Sequence, residues 1–440
     1  MNNRATLRVA LSNSNFRALW VGLLVSQVGD SFMLIATLDV IQRLTDSSLA
    51  LGAMGVSIGL PTLLFGLIAG VFVDRLDRKL AMIVSDVVRG LAVLALLTVH
   101  SPQQIWVFFV VGFVMGSMGI FFAPARNAVL PNIVSEELLL PANTLVQGTQ
   151  VVSMALGPTL AGLVVGWFGT AFAFAFDSAT FFVSAAAIAT ISIAQKRADD
   201  EKASVEVVWE QLKEGITFIR RSRTILNVSI TAGVAMLGLG SIIVLGVRYL
   251  SQELGIGATG FGFLVSVLGI GMVAGGILVG NYASRMRTGL VVSGGMGLLG
   301  LALLGFALAP DFTLVLVMTF VIGACMVASR AAIAALLQAI VPDEKRGRVE
   351  SAVNTVISAA TTLSMGMAGF LGDLLGLRTV FALAGIITLL SAGMAFYVLR
   401  EPETGPDSAW EVESAPAMPE ATEGQSDIAE VDSGGRQPAS

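Results

Sequence analysis

Cysteine and histidine are almost missing from this sequence, which has one of each in 440 residues. Cys325 lies inside an apolar run with no second cysteine to pair with, so a disulfide framework and a Cys-X-X-Cys metal site are both excluded. His100 has no cysteine or carboxylate cluster near it, which leaves no zinc pattern and little to support catalysis. No cofactor is expected. Charge is scarce too. Asp, Glu, Lys and Arg make up 13% of the chain, against about 25% in soluble domains. With 55% hydrophobic residues, a water-soluble fold of this chain could not cover its own surface. The net charge of −5 says little, because much of the acid excess falls after Arg400. The glycine-rich run VLGIGMVAGGILVGN (267–281) lacks the Lys-Ser/Thr of a nucleotide-binding loop and the strand that should precede one. Small residues that let helices pack and slide explain it better.

What the chain has in abundance is long apolar sequence. Crossing the hydrocarbon core takes roughly 20 apolar residues as a helix, and every backbone polar group there must be paired internally. Runs of that length recur at about 16–41, 51–73, 80–99, 105–125, 144–168 and 171–194, and again at about 225–250, 259–283, 289–308, 312–332, 351–373 and 378–399. The polarity alternation of barrel strands is not seen. The expectation is an all-α membrane protein of twelve transmembrane helices: an amino-terminal half (1–194), a linker (195–224), a carboxy-terminal half (225–400) and a tail (401–440). The basic amino terminus has no cleavage site after its first apolar run, which is read as a retained helix.

Lysine and arginine placement sets the orientation. One set of connections carries Arg75, Arg78, Lys79, Arg126, Lys196 to Arg223, Arg285, Arg287 and Arg330 to Arg348, while the other carries Arg43, Arg248 and Arg378. The first set is expected in the cytoplasm, together with both termini, and the expected location is a bacterial inner membrane. The second half of the linker places Val205, Val208, Leu212, Ile216 and Ile219 on one side at helical spacing, as an amphipathic helix resting on the inner membrane surface would. The tail is rich in Pro, Glu, Ser, Ala and Gly, with Trp410 as its only aromatic, and is expected to be disordered and cytoplasmic.

The two halves echo each other. APARNAVLPNIVSEE (123–137) corresponds to ASRAAIAALLQAIVPDE (328–344), which pairs Arg126 with Arg330, and Gly70 to Arg75 corresponds to Gly280 to Arg285. Such internal duplication is characteristic of transporters that work by alternating access.

GVFVDRLDRK (70–79) resembles the signature loop of the major facilitator superfamily: Gly, three residues, Asp, a basic residue, one residue, Gly, then two basic residues. Gly70, Asp74, Arg75, Arg78 and Lys79 fit, while Asp77 stands where the second glycine is expected. SDVVRG (85–90), PARNAVLP (124–131) and FDSATFFVSA (176–185) look like the branch that includes bacterial siderophore exporters and macrolide efflux pumps, with lysophospholipid carriers nearby. The resemblance implies two pseudo-symmetric six-helix halves around a central cavity. It also implies a cytoplasmic gate in which Asp74 meets the positive amino-terminal end of the eleventh segment.

Ionisable residues inside the membrane are the default functional candidates. Asp30 lies in mid-run, with Gln27 one turn before it. A carboxylate taken out of water favours its protonated form, which suits a group that binds a proton on one side and releases it on the other. The alternative is a packed acid that ties the first helix to a neighbour. Asp86 and Arg89 share a helix face and are expected to pair, within a gate network with Asp74 and Arg126. Arg330 matches Arg126 by symmetry. Asp177 either caps a kinked helix or lines the outer mouth. Gln147, Gln150, Asn354 and Ser358 are either interhelical hydrogen bonds or cavity groups.

The expected activity is proton-coupled efflux of an amphipathic small molecule (a drug, macrolide-like compound or siderophore) by an antiporter of the multidrug or macrolide type. The expected partners are that substrate, protons and the lipid bilayer, with no nucleic acid, for a monomeric protein. Two other classes compete. One is uptake or lysophospholipid translocation on the same fold, and the other is a membrane receptor or scaffold that transports nothing.

Overall fold

The computed structural model describes residues 11–66, 68–192, 205–221, 223–282 and 288–398. Expectations for the tail, for Arg285 and Arg287 and for the first part of the linker fall outside these residues. The described chain is helical throughout its long elements. In the first half these are α1 (Ser14–Thr45), α2 (Ser48–Phe65), the short α3 (Ala69–Arg75), α4 (Arg78–Ala95), α5 (Trp106–Ile133) and α6 (Leu139–Ala189). The linker forms α7 (Val205–Arg221). The second half comprises α8 (Arg223–Leu254), α9 (Ala258–Tyr282), α10 (Thr288–Ala307), α11 (Phe312–Ile340), α12 (Asp343–Leu375) and α13 (Leu377–Val398).

Ten helical stretches among the described residues are long and apolar enough to cross a bilayer. One of them holds α6, whose 51 residues are broken at Gly169 (φ 81°, ψ 170°) into two arms. That φ lies in the left-handed region, which glycine adopts without steric cost. The expected count of twelve is reached when the two arms are taken as two passes and α8 is added. The outward surface is apolar: Phe168 is 63% exposed and Leu390 70%. Such a surface is stable against lipid and not against water.

Side-chain caps fix where helices start. Asn13 accepts from the Phe16 amide at the start of α1 and donates to the Ile133 carbonyl at the end of α5. Asp77, the departure from the signature loop, accepts from the Leu80 amide 2.9 Å away as the N-cap of α4. An aspartate does there what is most often wanted of a helix-starting residue, so the loop turns without the second glycine.

Within the amino-terminal half, α1 packs along both arms of α6, and α4 packs against α5 and α6. In the carboxy-terminal half α10 packs against α11 and α13, α9 against α11, and α12 against α8. The halves meet along two seams. In one, α2 lies on α12, so close at Gly52 that an added Cβ would stand 2.7 Å from the Gly369 Cα. In the other, the first arm of α6 lies on α9, where Gly162 and Gly262 play the same part and Thr259 Oγ1 donates to the Gly162 carbonyl at 3.0 Å. The glycine-rich stretch 157–169 therefore forms part of the seam between halves.

The linker helix α7 has a partner within the protein. It packs on α12. Leu212, Phe218 and Ile219 are buried while Ile216 is exposed, Glu214 pairs with Arg348, and the Lys345 ammonium lies over the Phe218 ring.

Candidate transport site and gates

Between α1, α2, α8 and α12 lies a cavity of about 330 Å³. Its wall is apolar apart from the hydroxyls of Thr37, Thr62, Ser358, Thr361 and Thr362, and among the described residues no charged one lines it. Ser358, one of the cavity candidates, is thus in the wall. Asn354 is exposed one turn before Ser358 on α12, and Gln147 and Gln150 are exposed on α6, which gives no residue to the wall.

Met33, Leu34 and Thr37 supply the α1 part of the wall. Asp30 precedes them by three, four and seven residues, so it falls on the same stripe of the helix. Its side chain is exposed. Gln27, one turn further on, is half-buried with its Oε1 unpaired.

Behind Asp30 is a closed polar cluster. Asp86 is wholly buried and pairs with Arg89. The Arg89 guanidinium is held between the rings of Phe122 and Phe181, at 4.8 and 4.4 Å from their centroids. Asp177 is also wholly buried; its Oδ1 faces Thr180 Oγ1 at 3.4 Å, and its Oδ2 has no hydrogen-bond partner. Glycines make this possible. A methyl group built on Gly29 would collide with Asp177 Oδ1 and Thr180 Oγ1, and one on Gly22 would stand 3.1 Å from Ser184 Oγ. Asp86 and Arg89 are therefore brought together with Asp30 and Asp177. Arg126 instead bonds the Asn127 side chain at 3.0 Å, and Arg330 is exposed on α11.

The signature loop lies at the end of the bundle that the charge bias assigns to the cytoplasm. Asp74 and Arg75 fall in α3, and a side chain added to Gly70 there would touch nothing. Arg78 reaches the Ala128 carbonyl, and Lys79 Nζ donates to the carbonyls of Ala189 and Ile191, each at 2.7 Å. The two basic residues thus hold the ends of α5 and α6.

At the opposite end, called outer here because it carries Arg43, Arg248 and Arg378, the halves are latched. Asp373 of α12 accepts from the amides of Ser48 and Leu49 at 2.8 and 2.9 Å and from Ser47 Oγ at 2.9 Å. A carboxylate is thus placed on the amino terminus of α2, where the helix dipole favours it. Arg248 of α8 donates to Asp373 at 2.5 Å and to Ser48 Oγ at 2.8 Å, and Gln252 donates to Asp46 at 2.8 Å. Arg378 donates to Glu253 at 2.7 Å. Sequence reasoning missed this group. The available signal was the GD pair at the carboxy-terminal end of the eleventh run facing the serines that open the second.

Comparison with known proteins agrees with this architecture. The family described as transmembrane secretion effector matches residues 6–425. The macrolide efflux protein A of Streptococcus pyogenes is 25% identical over 402 residues, covering 86% of this chain and 94% of that one. The multidrug efflux pump Tap of Mycolicibacterium fortuitum is 26% identical over 393 residues, covering 86% and 94%. Among solved structures, a bacterial homologue of the human lysosomal transporter Spinster, in an inward-facing and unoccupied conformation, superposes with a TM-score of 0.70 at 14% identity, covering 91% of this chain and 98% of that one.

Proposed function

The chain belongs to the transmembrane secretion effector family of the major facilitator superfamily, and from that premise we propose that it is a proton-coupled exporter of an amphipathic, largely uncharged small molecule. The observation that carries the reading is the placement of Asp30. It is a membrane-embedded carboxylate on the same α1 stripe as the wall of an apolar cavity, in a bundle latched at its outer end. A cavity of about 330 Å³ is at the small end of ligand sites, so it takes a small substrate or the apolar limb of a larger one. Its hydroxyls offer hydrogen bonds without asking for a charge. The names of the relatives support efflux as the direction, and macrolide-like or drug-like compounds as the class. The charge bias supports a cytoplasmic location for the signature loop and both termini, in a bacterial inner membrane. In the resulting cycle, substrate enters from the cytoplasm, the outer latch opens, and protonation of Asp30 from outside resets the protein.

The test is accumulation of a radiolabelled macrolide panel in energised cells that express wild type or Asp30→Asn, with and without a protonophore. Wild type is expected to lower accumulation several-fold, and both the substitution and the protonophore are expected to abolish the difference. Export by Asp30→Asn at the wild-type rate would remove Asp30 from coupling. Movement of lysolipids in place of macrolides would reassign the substrate, and no flux of either would favour a receptor.

A further inference from the structure

We propose that the coupling proton is held by a carboxyl pair, Asp30 of α1 and Asp177 of α6, which titrates as one unit, with Asp177 the enclosed member and Asp30 the exposed one. This rests on the proton-coupled reading above and adds a second residue to it.

The argument begins with charge. Among the described residues, the ionisable groups within electrostatic reach of one another here are Asp30 on α1, Asp86 and Arg89 on α4, and Asp177 on α6. From α5 the cluster receives the Phe122 ring, while Arg126 further along bonds Asn127. Three acids thus share one arginine. Arg89 is fixed on Asp86 by its hydrogen bond and clamped by two rings, which makes that pair neutral. Two carboxyls remain with no cation of their own. Leaving an unpaired ion in such a place costs several kcal/mol, and two like charges at close range cost more. The inexpensive state keeps at least one proton on the two.

Geometry then separates their roles. Asp177 has no exposed surface, its Oδ1 is packed against the backbone of Gly29, and its Oδ2 is a buried oxygen with no protein partner. A carboxyl with an orphan oxygen is suited to carry the proton on that oxygen, since a carboxylate there would be left without a donor. Asp30 is the next residue after Gly29 and is exposed. A proton from outside the bundle meets the exposed Asp30 before the enclosed Asp177. No covalent chemistry is involved; one proton moves between two carboxyl oxygens.

The experiment is infrared titration of the purified protein in lipid vesicles, following the carbonyl-stretch band of protonated carboxyls across pH. Wild type, Asp30→Asn and Asp177→Asn are compared with no transported compound present. An interacting pair gives two macroscopic steps in wild type. Each single substitution is expected to reduce them to one step, with a midpoint displaced from both wild-type values. If either variant leaves the partner's midpoint where it was, the two acids titrate independently and the proposal falls. Should Asp177→Asn fail to fold, Asp30→Asn decides alone, since its side chain is exposed. A loss of the band on replacing potassium with sodium would give the site to a metal cation and would also overturn it. A macrolide panel that shows no export leaves this titration untouched. An exporter whose two acids titrate independently keeps its function and loses the pair.

Discussion

Asp86 has an arginine beside it and Asp177 has none, although both are closed off from solvent. Each was legible in the sequence as a charge inside an apolar run, because such charges are expensive and stand out. Their meeting was not legible. It depends on Gly29, whose missing side chain admits the Asp177 carboxyl and the Thr180 hydroxyl, and a glycine in a membrane helix carries no sign of which neighbour it admits. Gly29→Ala is expected to destabilise the protein by about 1–3 kcal/mol, since the neighbours in its way are buried on a packed helix. Gly119→Ala on α5 is the control, because its added methyl meets nothing, and it is expected to be neutral or to stabilise by up to about 1 kcal/mol. Thermal unfolding of the two variants in detergent measures the contrast. Equal melting temperatures would mean that Asp177 can move away from α1 at no cost.

Among the elements, the linker helix shows most clearly what periodicity conveys and what it leaves out. The apolar stripe of α7 was readable and its helix forms where expected, but a stripe does not name its partner. The side chains of Leu212, Phe218 and Ile219 are buried, and α7 packs on α12, the helix that also carries Asp373 and one seam between the halves. Two kinds of contact hold α7 there, and their magnitudes differ. Glu214 and Arg348 are both largely exposed, so their ion pair contributes about 0.2–1 kcal/mol. Phe218 is buried beneath Lys345, and removing such a ring costs about 3 kcal/mol or more. Phe218→Ala should therefore release α7, seen as faster hydrogen exchange across Val205–Arg221, while Glu214→Ala should leave the exchange near wild type. If Glu214→Ala releases the helix just as much, electrostatics and not apolar packing holds it.

At the scale of the whole molecule the two seams confine the possible motion. The α2–α12 and α6–α9 contacts bring glycine backbones together, and the outer latch closes the end of the first seam. Twelve apolar runs, the repeat and the signature loop made the fold readable, because each is a local or regular pattern. The latch joins Asp373 to residues 125 and more than 300 positions away, and charges at helix ends look ordinary in a sequence. Asp373→Ala would remove the acceptor for two amides, a hydroxyl and a guanidinium, and would leave Arg248, whose side chain is 12% exposed, poorly paired. Charge-assisted hydrogen bonds contribute about 1.5–3 kcal/mol each, so loss of even one net bond should raise the outer-open population roughly tenfold. Replacing Cys325, the single cysteine, with Ala gives a background for spin labels at Leu49→Cys on α2 and Leu374→Cys on α12. Pulsed electron resonance should then report one short distance with Asp373 intact and a second, longer population in Asp373→Ala. A single short distance in both would show that the glycine seam closes the outer end by itself, and that the carboxylate merely caps α2.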